Sequence, residues 1–168
     1  KPIILFCSER SGSNLIAKIF DAHPEVSAPG AAHLFRVMHE VTLKYSLNRE
    51  QSIDSILRLF RAKVSHWEID SKTDHQLREL LKPLSNCMEM CAALYQAECV
   101  CSQKKITLIK ENSAYKYLNT ITLNSNQARF LTMVRDPRDM AVSWTNSPVM
   151  RGGTVRAVYR WLSDQTGF

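Results

Sequence analysis

Short apolar runs alternate along this chain with longer stretches of helical periodicity. Ile3-Ile4-Leu5-Phe6 is a continuous apolar run closing at Cys7, the pattern of a buried strand. Residues 14–22 then carry Leu15, Ile16, Ile19 and Phe20 at helical spacing, which predicts a helix with these four on one face. "AHPEVSAPG", residues 22–30, interrupts it with two prolines and a glycine around a short strand at Val26-Ser27-Ala28. Residues 33–45, 50–65, 73–82 and 86–100 read as helices, and Ile53, Ile56, Leu57 and Phe60 mark the buried face of the second. Ile106-Thr107-Leu108-Ile109 reads as a strand, residues 115–123 as a helix, residues 129–134 as a second buried strand, and residues 136–146 and 154–164 as helices. Strands that alternate with helices predict an α/β fold, a parallel sheet flanked by helices, here with a helical insert in the middle.

Composition narrows the class. A chain of 168 residues, 45% hydrophobic and 23% charged, is globular, and a single domain spanning 1–168 is expected. Twenty-two Lys and Arg against 16 Asp and Glu leave a formal charge of +6, which suits an anionic ligand. No basic block or aromatic ladder accompanies that charge, so a small anion is favoured over nucleic acid. No apolar run approaches the ~20 residues of a membrane span. Lys1-Pro2 runs straight into the first strand, with no signal peptide ahead of it, as in a trimmed chain or one beginning at its first strand. Of the five cysteines, Cys87, Cys91, Cys99 and Cys101 cluster, but their spacing fits no common zinc knuckle. They read as buried free thiols on a helix, no metal is expected, and reduced thiols suit a cytoplasmic protein.

Two segments carry chemistry. Ser8-Glu9-Arg10-Ser11-Gly12-Ser13-Asn14 lies between the first strand and the first helix. The first N–H groups of a helix have no intrahelical partners and carry partial positive charge, so such a loop can hold an anion. Gly12 lets the backbone approach closely, Ser11, Ser13 and Asn14 offer side-chain hydrogen bonds, and Arg10 adds a planar cation. The loop lacks the Gly-Lys-Ser/Thr ending of a Walker A motif. The second segment is "FLTMVRDPRDMAVSW", residues 130–144. Arg135 closes a strand. Asp136 fits an N-cap, Pro137 the first helical position and Asp139 the third. Ser143, seven residues past the cap, faces nearly the same way as Asp136, so Arg135 and Ser143 can flank one anion. A nucleotide hydrolase tends to end such a strand in an aspartate for magnesium, and here it ends in arginine.

Together these segments resemble the sulfotransferases that use 3′-phosphoadenosine 5′-phosphosulfate (PAPS). "RSGSN" is similar to their 5′-phosphosulfate loop and "VRDPRDMAVSW" to their 3′-phosphate motif, while "DAHPEVSAPG" is closer to the bacterial and Golgi-type branches than to the cytosolic phenol and steroid enzymes. The resemblance covers the first helix, the turn after it and residues 106–146. It implies a P-loop NTPase-like fold, PAPS as sulfuryl donor with no metal, and a small-molecule or carbohydrate acceptor. It also implies that Arg10, Ser11, Gly12, Ser13 and Asn14 surround the 5′-phosphosulfate and that Arg135 and Ser143 hold the 3′-phosphate. Two departures stand out. Relatives often carry a glutamate as general base where this chain has Ala31. They also usually continue to a further phosphate-binding loop, so the C-terminal part is expected to be short, with Met150–Gly153 a surface turn.

Sulfuryl transfer needs a cation at the leaving oxygen and a base for the acceptor proton. Arg10 is the candidate cation. His33, close after the expected base position, and Glu111, in "LIKENS", are the candidate bases, and Lys110 could stabilise the transferring sulfonate. His33 could also simply start a helix, and Lys110-Glu111 could form a solvated rim. His23, beside Pro24, reads as a turn residue. A non-catalytic PAPS- or nucleotide-binding relative and a P-loop type kinase are the alternatives. The sequence does not report oligomeric state.

Overall fold

The computed structural model describes residues 2–64, 66–118 and 128–167. Four parallel strands form one sheet: β1 (Ile3–Cys7), β2 (Val26–Ser27), β3 (Ile106–Asn112) and β4 (Arg129–Met133), in the order β2-β3-β1-β4. Around it lie α1 (Ser13–Asp21), α2 (Leu34–Lys44), α3 (Arg49–Lys63), α4 (Asp74–Leu81), α5 (Cys87–Cys101), α6 (Pro137–Thr145) and α7 (Gly153–Gly167), with 3-10 turns at Glu68–Ser71 and Ala114–Tyr117. The expected α/β architecture with a helical insert is the one observed, and α2 to α5 are that insert.

The period of two along β1 separates two cores. Ile4 and Phe6 face one side, where Ile109 joins them against Phe35, Met38, Ile53, Ile56, Phe60, Leu94 and Tyr95 of α2, α3 and α5. Leu5 and Cys7 face the other side, with Ala17 of α1, Val26, Ala28 and Leu108. Polar side chains end the insert's helices cleanly. Asn48 with Gln51 and Thr73 with Gln76 form capping boxes at the starts of α3 and α4, and Asn86 caps α5. Cys87, Cys91 and Cys99 are buried free thiols along α5, and Cys101 is partly covered.

Four readings are corrected. The apolar face of α1 is divided: Ile16 and Phe20 pack on the sheet, whereas Leu15 and Ile19 are exposed. β4 is not buried. It pairs with β1 alone among the described strands, and Phe130, Leu131 and Val134 remain exposed, so its apolar run belongs to an edge. β3 runs to Asn112, which places Lys110 and Glu111 inside a strand, both buried, and not on a solvated rim. Of the helix expected over 115–123, the structure has a 3-10 turn at Ala114–Tyr117, and residues 119–127 lie outside the described residues.

Register brings Cys7 of β1 level with Asn112 of β3 and Met133 of β4. The loops that leave these three strands therefore meet at one edge of the sheet. The connections leaving β1 and β3 run in opposite directions across it, and ligand crevices of open parallel sheets form at such carboxyl ends.

Candidate active site

The loop after β1 turns at Ser8–Ser11, where the Ser11 N–H donates to the Ser8 carbonyl at 3.3 Å. It reaches α1 through Gly12, whose φ of 93° is left-handed and which contributes no side-chain cap. A Cβ there would meet Met133 Cε at 3.4 Å, so glycine fits for conformation and for space. No side chain caps the start of α1, the end at which a helix can hold an anion. Ser11 and Ser13 are buried beneath the loop, and Asn14 is exposed.

Arg10 joins the two motifs. Its Nε donates to Ser143 Oγ at 3.1 Å, and its carbonyl accepts from Arg135 Nη1 at 2.9 Å. Arg10 holds a φ of 66°, a conformation that costs a non-glycine residue about 1–2 kcal/mol. These two hydrogen bonds from a segment more than a hundred residues away hold it there. Arg135 is itself fixed from behind, since Trp161 Nε1 donates to its carbonyl at 3.0 Å. Asp136 caps α6 as expected, accepting from the Arg138 N–H at 2.8 Å. The Arg138 guanidinium and these N–H groups hold the Asp136 carboxyl down to about 2. The bond to the second helical N–H takes the place of a capping arrangement through Asp139.

His33 and Glu111, separate candidates in the sequence, face each other. His33 takes the N-cap position of α2 with φ 55°, and its Nδ1 lies 3.6 Å from Glu111 Oε2. That nitrogen is buried, while the side chain as a whole is 25% exposed, so the open part of the ring is its far side. Glu111 is fully buried and accepts from Tyr95 Oη at 3.0 Å and Tyr117 Oη at 3.4 Å. Burial and the neighbouring Glu111 charge push both phenols far up, so they remain donors. Lys110, next in the strand, projects to the opposite sheet face and is buried too. Ala31 carries no acid–base group, and the carboxylate nearest His33 comes from β3. His23 is a turn residue, its Nδ1 accepting from the Glu25 N–H at 3.1 Å.

Arg10, His33 and Ser113 are three of the five non-glycine residues with positive φ among the described residues, and all three stand at this sheet edge. Strain of that kind persists where surrounding structure over-determines it, and it concentrates at functional sites. A cavity of about 480 Å³ opens beside Glu9 and Ser113, between α2 and α7, with Tyr117 and Trp144 in its wall.

Sequence reasoning missed Tyr95, Tyr117 and the residues of α7. Tyr95 lies within the apolar stripe of α5, and a phenol there needs a buried partner, which was the available signal. Arg156 and Arg160, one helical turn apart, were a visible doublet on the expected last helix.

The sulfotransferase family profile matches residues 2–164. Among solved structures, the sulfotransferase domain of the Synechococcus PCC 7002 olefin synthase superposes with a TM-score of 0.65 at 17% identity. That match covers 99% of this chain and 60% of the other. Among curated proteins no sequence matches significantly.

Proposed function

This chain belongs to the sulfotransferase family, and from that premise we propose that it transfers a sulfuryl group from PAPS to a hydroxyl or amine acceptor. The observation that carries the reading is the meeting of Arg10, Arg135 and Ser143, from two motifs far apart in sequence, at the open start of α1. One anion-binding end would take the 5′-phosphosulfate through the N–H groups beyond Gly12 with Ser11, Ser13 and Asn14. The other would take the 3′-phosphate through Arg135 and Ser143.

In the proposed reaction the acceptor oxygen attacks sulfur, and the bond from sulfur to the bridging oxygen breaks. Adenosine 3′,5′-bisphosphate leaves with the electron pair. Arg10, backed by the α1 dipole, stabilises charge growing on that oxygen, and Lys110, two residues before the end of β3, would meet the transferring sulfonate. The acceptor proton passes to His33. An Nδ1–H directed at Glu111 leaves the lone pair on Nε2, and Glu111, held by two phenols, stabilises the imidazolium that forms. Glu111 is thus a positioning residue in this scheme and His33 the base. No metal takes part in any step proposed.

Transfer of labelled sulfuryl from PAPS to a panel of hydroxyl and amine acceptors tests the reading. Turnover by the parent and its loss in His33→Ala are expected. Tight bisphosphate binding with no turnover on any acceptor would instead identify a non-catalytic nucleotide-binding relative. Arg10→Ala should lower turnover more than nucleotide affinity. A change confined to the Michaelis constant for PAPS would make Arg10 a ground-state anchor.

A further inference from the structure

The cavity beside the proposed transfer site is lined on three sides by cations. α2 contributes Arg36, the segment after β3 contributes Lys116, and α7 contributes Arg156 and Arg160. Two carboxylates, Glu9 and Glu40, share the lining. Glu9 is divided between two arginines at long range, 3.9 Å from Arg36 and 3.8 Å from Arg160. Arg160 also meets the buried Asp164 at 3.3 Å and donates to Ser113 Oγ, so it is fixed in place. Lys116 and Arg156 are exposed and form no ion pair among the described residues. The wall thus carries four cations against two carboxylates, facing a space large enough for a small molecule. Arg36 lies one helical turn beyond His33, and Glu9 is next to Arg10, so a residue of the proposed donor loop and one on the helix that His33 begins line this space.

We infer that the acceptor carries an anionic substituent, a carboxylate or a phosphomonoester, close to the group that receives sulfate. The inference rests on the sulfotransferase reading above and specifies its substrate class. A neutral acceptor would leave the excess of cations over Glu9 and Glu40 in this lining uncompensated. An anionic one replaces their water with charge-assisted hydrogen bonds, and a planar guanidinium suits either head group. Tyr117 and Trp144 add a flat wall for the body of the molecule.

The experiment uses the whole chain saturated with adenosine 3′,5′-bisphosphate, which fills the donor's phosphate subsites; the Arg156→Ala and Lys116→Ala variants separate binding in this cavity from binding at the vacated sulfonate position. Calorimetric titrations then compare glucuronate with glucuronamide, 4-hydroxyphenylacetate with 4-hydroxyphenylacetamide, and glucose 6-phosphate with glucose. At least one anionic member should bind about tenfold or more tightly than its neutral partner. The pair that shows it separates a carboxylate from a phosphate preference. Arg156→Ala and Lys116→Ala should each reduce that preference while bisphosphate affinity stays unchanged. Equal binding within every pair, or no binding by any anionic member to the bisphosphate-loaded protein, overturns the inference. So does a preference that survives the double variant. If the bisphosphate itself fails to bind the parent, the sulfotransferase reading has failed, and that first titration reports it separately.

Discussion

His33 with Glu111 and Arg135 with Ser143 lie towards opposite sides of β1, by β3 and after β4, and different forces hold them. The first pair is set by the core. Glu111 is fully buried between Tyr95 of α5 and Tyr117, and the rings of Tyr95 and Tyr117 pack on Phe35 at 5.7 and 6.3 Å. The second pair sits just past an exposed edge strand and on a helix whose apolar support is a small cluster of Ala141, Trp144 and Ala157. Its alignment depends on polar contacts: Arg10 to Ser143, Arg135 to Arg10, and Trp161 to Arg135. A base must keep one geometry from turnover to turnover, and a packed core supplies that. Groups that grip a phosphate need to present donors, and polar neighbours can hold those donors until the anion replaces them.

Four measurements would break or sharpen this contrast. The largest effect is expected from His33→Ala, which should lower turnover by about 10²–10⁴ and leave bisphosphate affinity within about twofold. The limb of the pH–rate profile that reports the base should disappear with it. If Glu111→Gln abolishes turnover while His33→Ala keeps most of it, the two residues exchange roles. Next comes stability. Phe60→Ala, in the fully buried core of the insert, should cost about 3–5 kcal/mol in denaturant unfolding. Ser143→Ala, at an exposed hydrogen bond, should shift unfolding by less than about 0.5 kcal/mol. Equal losses would erase the distinction between the two sides.

The smallest effect concerns pH. Asp136 is held at about 2, below its ordinary 3.8, by Arg138 and the start of α6. A carboxyl lowered on folding contributes stability above its unfolded value and loses it as pH falls through the folded one. Relative to Asp136→Asn, the parent should therefore lose thermal stability as pH drops from 3.8 to about 2. A constant difference across that window would show that the cap contributes nothing.

What could be read in the sequence divides along the same line. β1, its loop and α1 are contiguous, and the Asp136-Pro137 cap is local, so the conformation of these two segments was legible residue by residue. The union of His33 with Glu111 was not. It requires β3, α2, α5 and the turn at Ala114–Tyr117 to converge, and no spacing along one chain encodes that. Exposure was also hidden: "FLTMV" reads as a buried run, and only its place at the sheet edge reveals otherwise. Leu15 and Ile19 misled for a similar reason, because periodicity gives the apolar faces of α1 but not which one meets the sheet.

The central claim is that Arg135 and Ser143 serve the 3′-phosphate of the donor. Calorimetry with adenosine 3′,5′-bisphosphate and adenosine 5′-monophosphate, on the parent and on Arg135→Ala, tests it most directly. A charge-assisted contact of about 1.5–3 kcal/mol predicts that the parent prefers the bisphosphate by about tenfold or more, and that Arg135→Ala binds the two nearly alike. Equal affinity of the parent for the two nucleotides, or a preference undiminished in Arg135→Ala, would contradict the account.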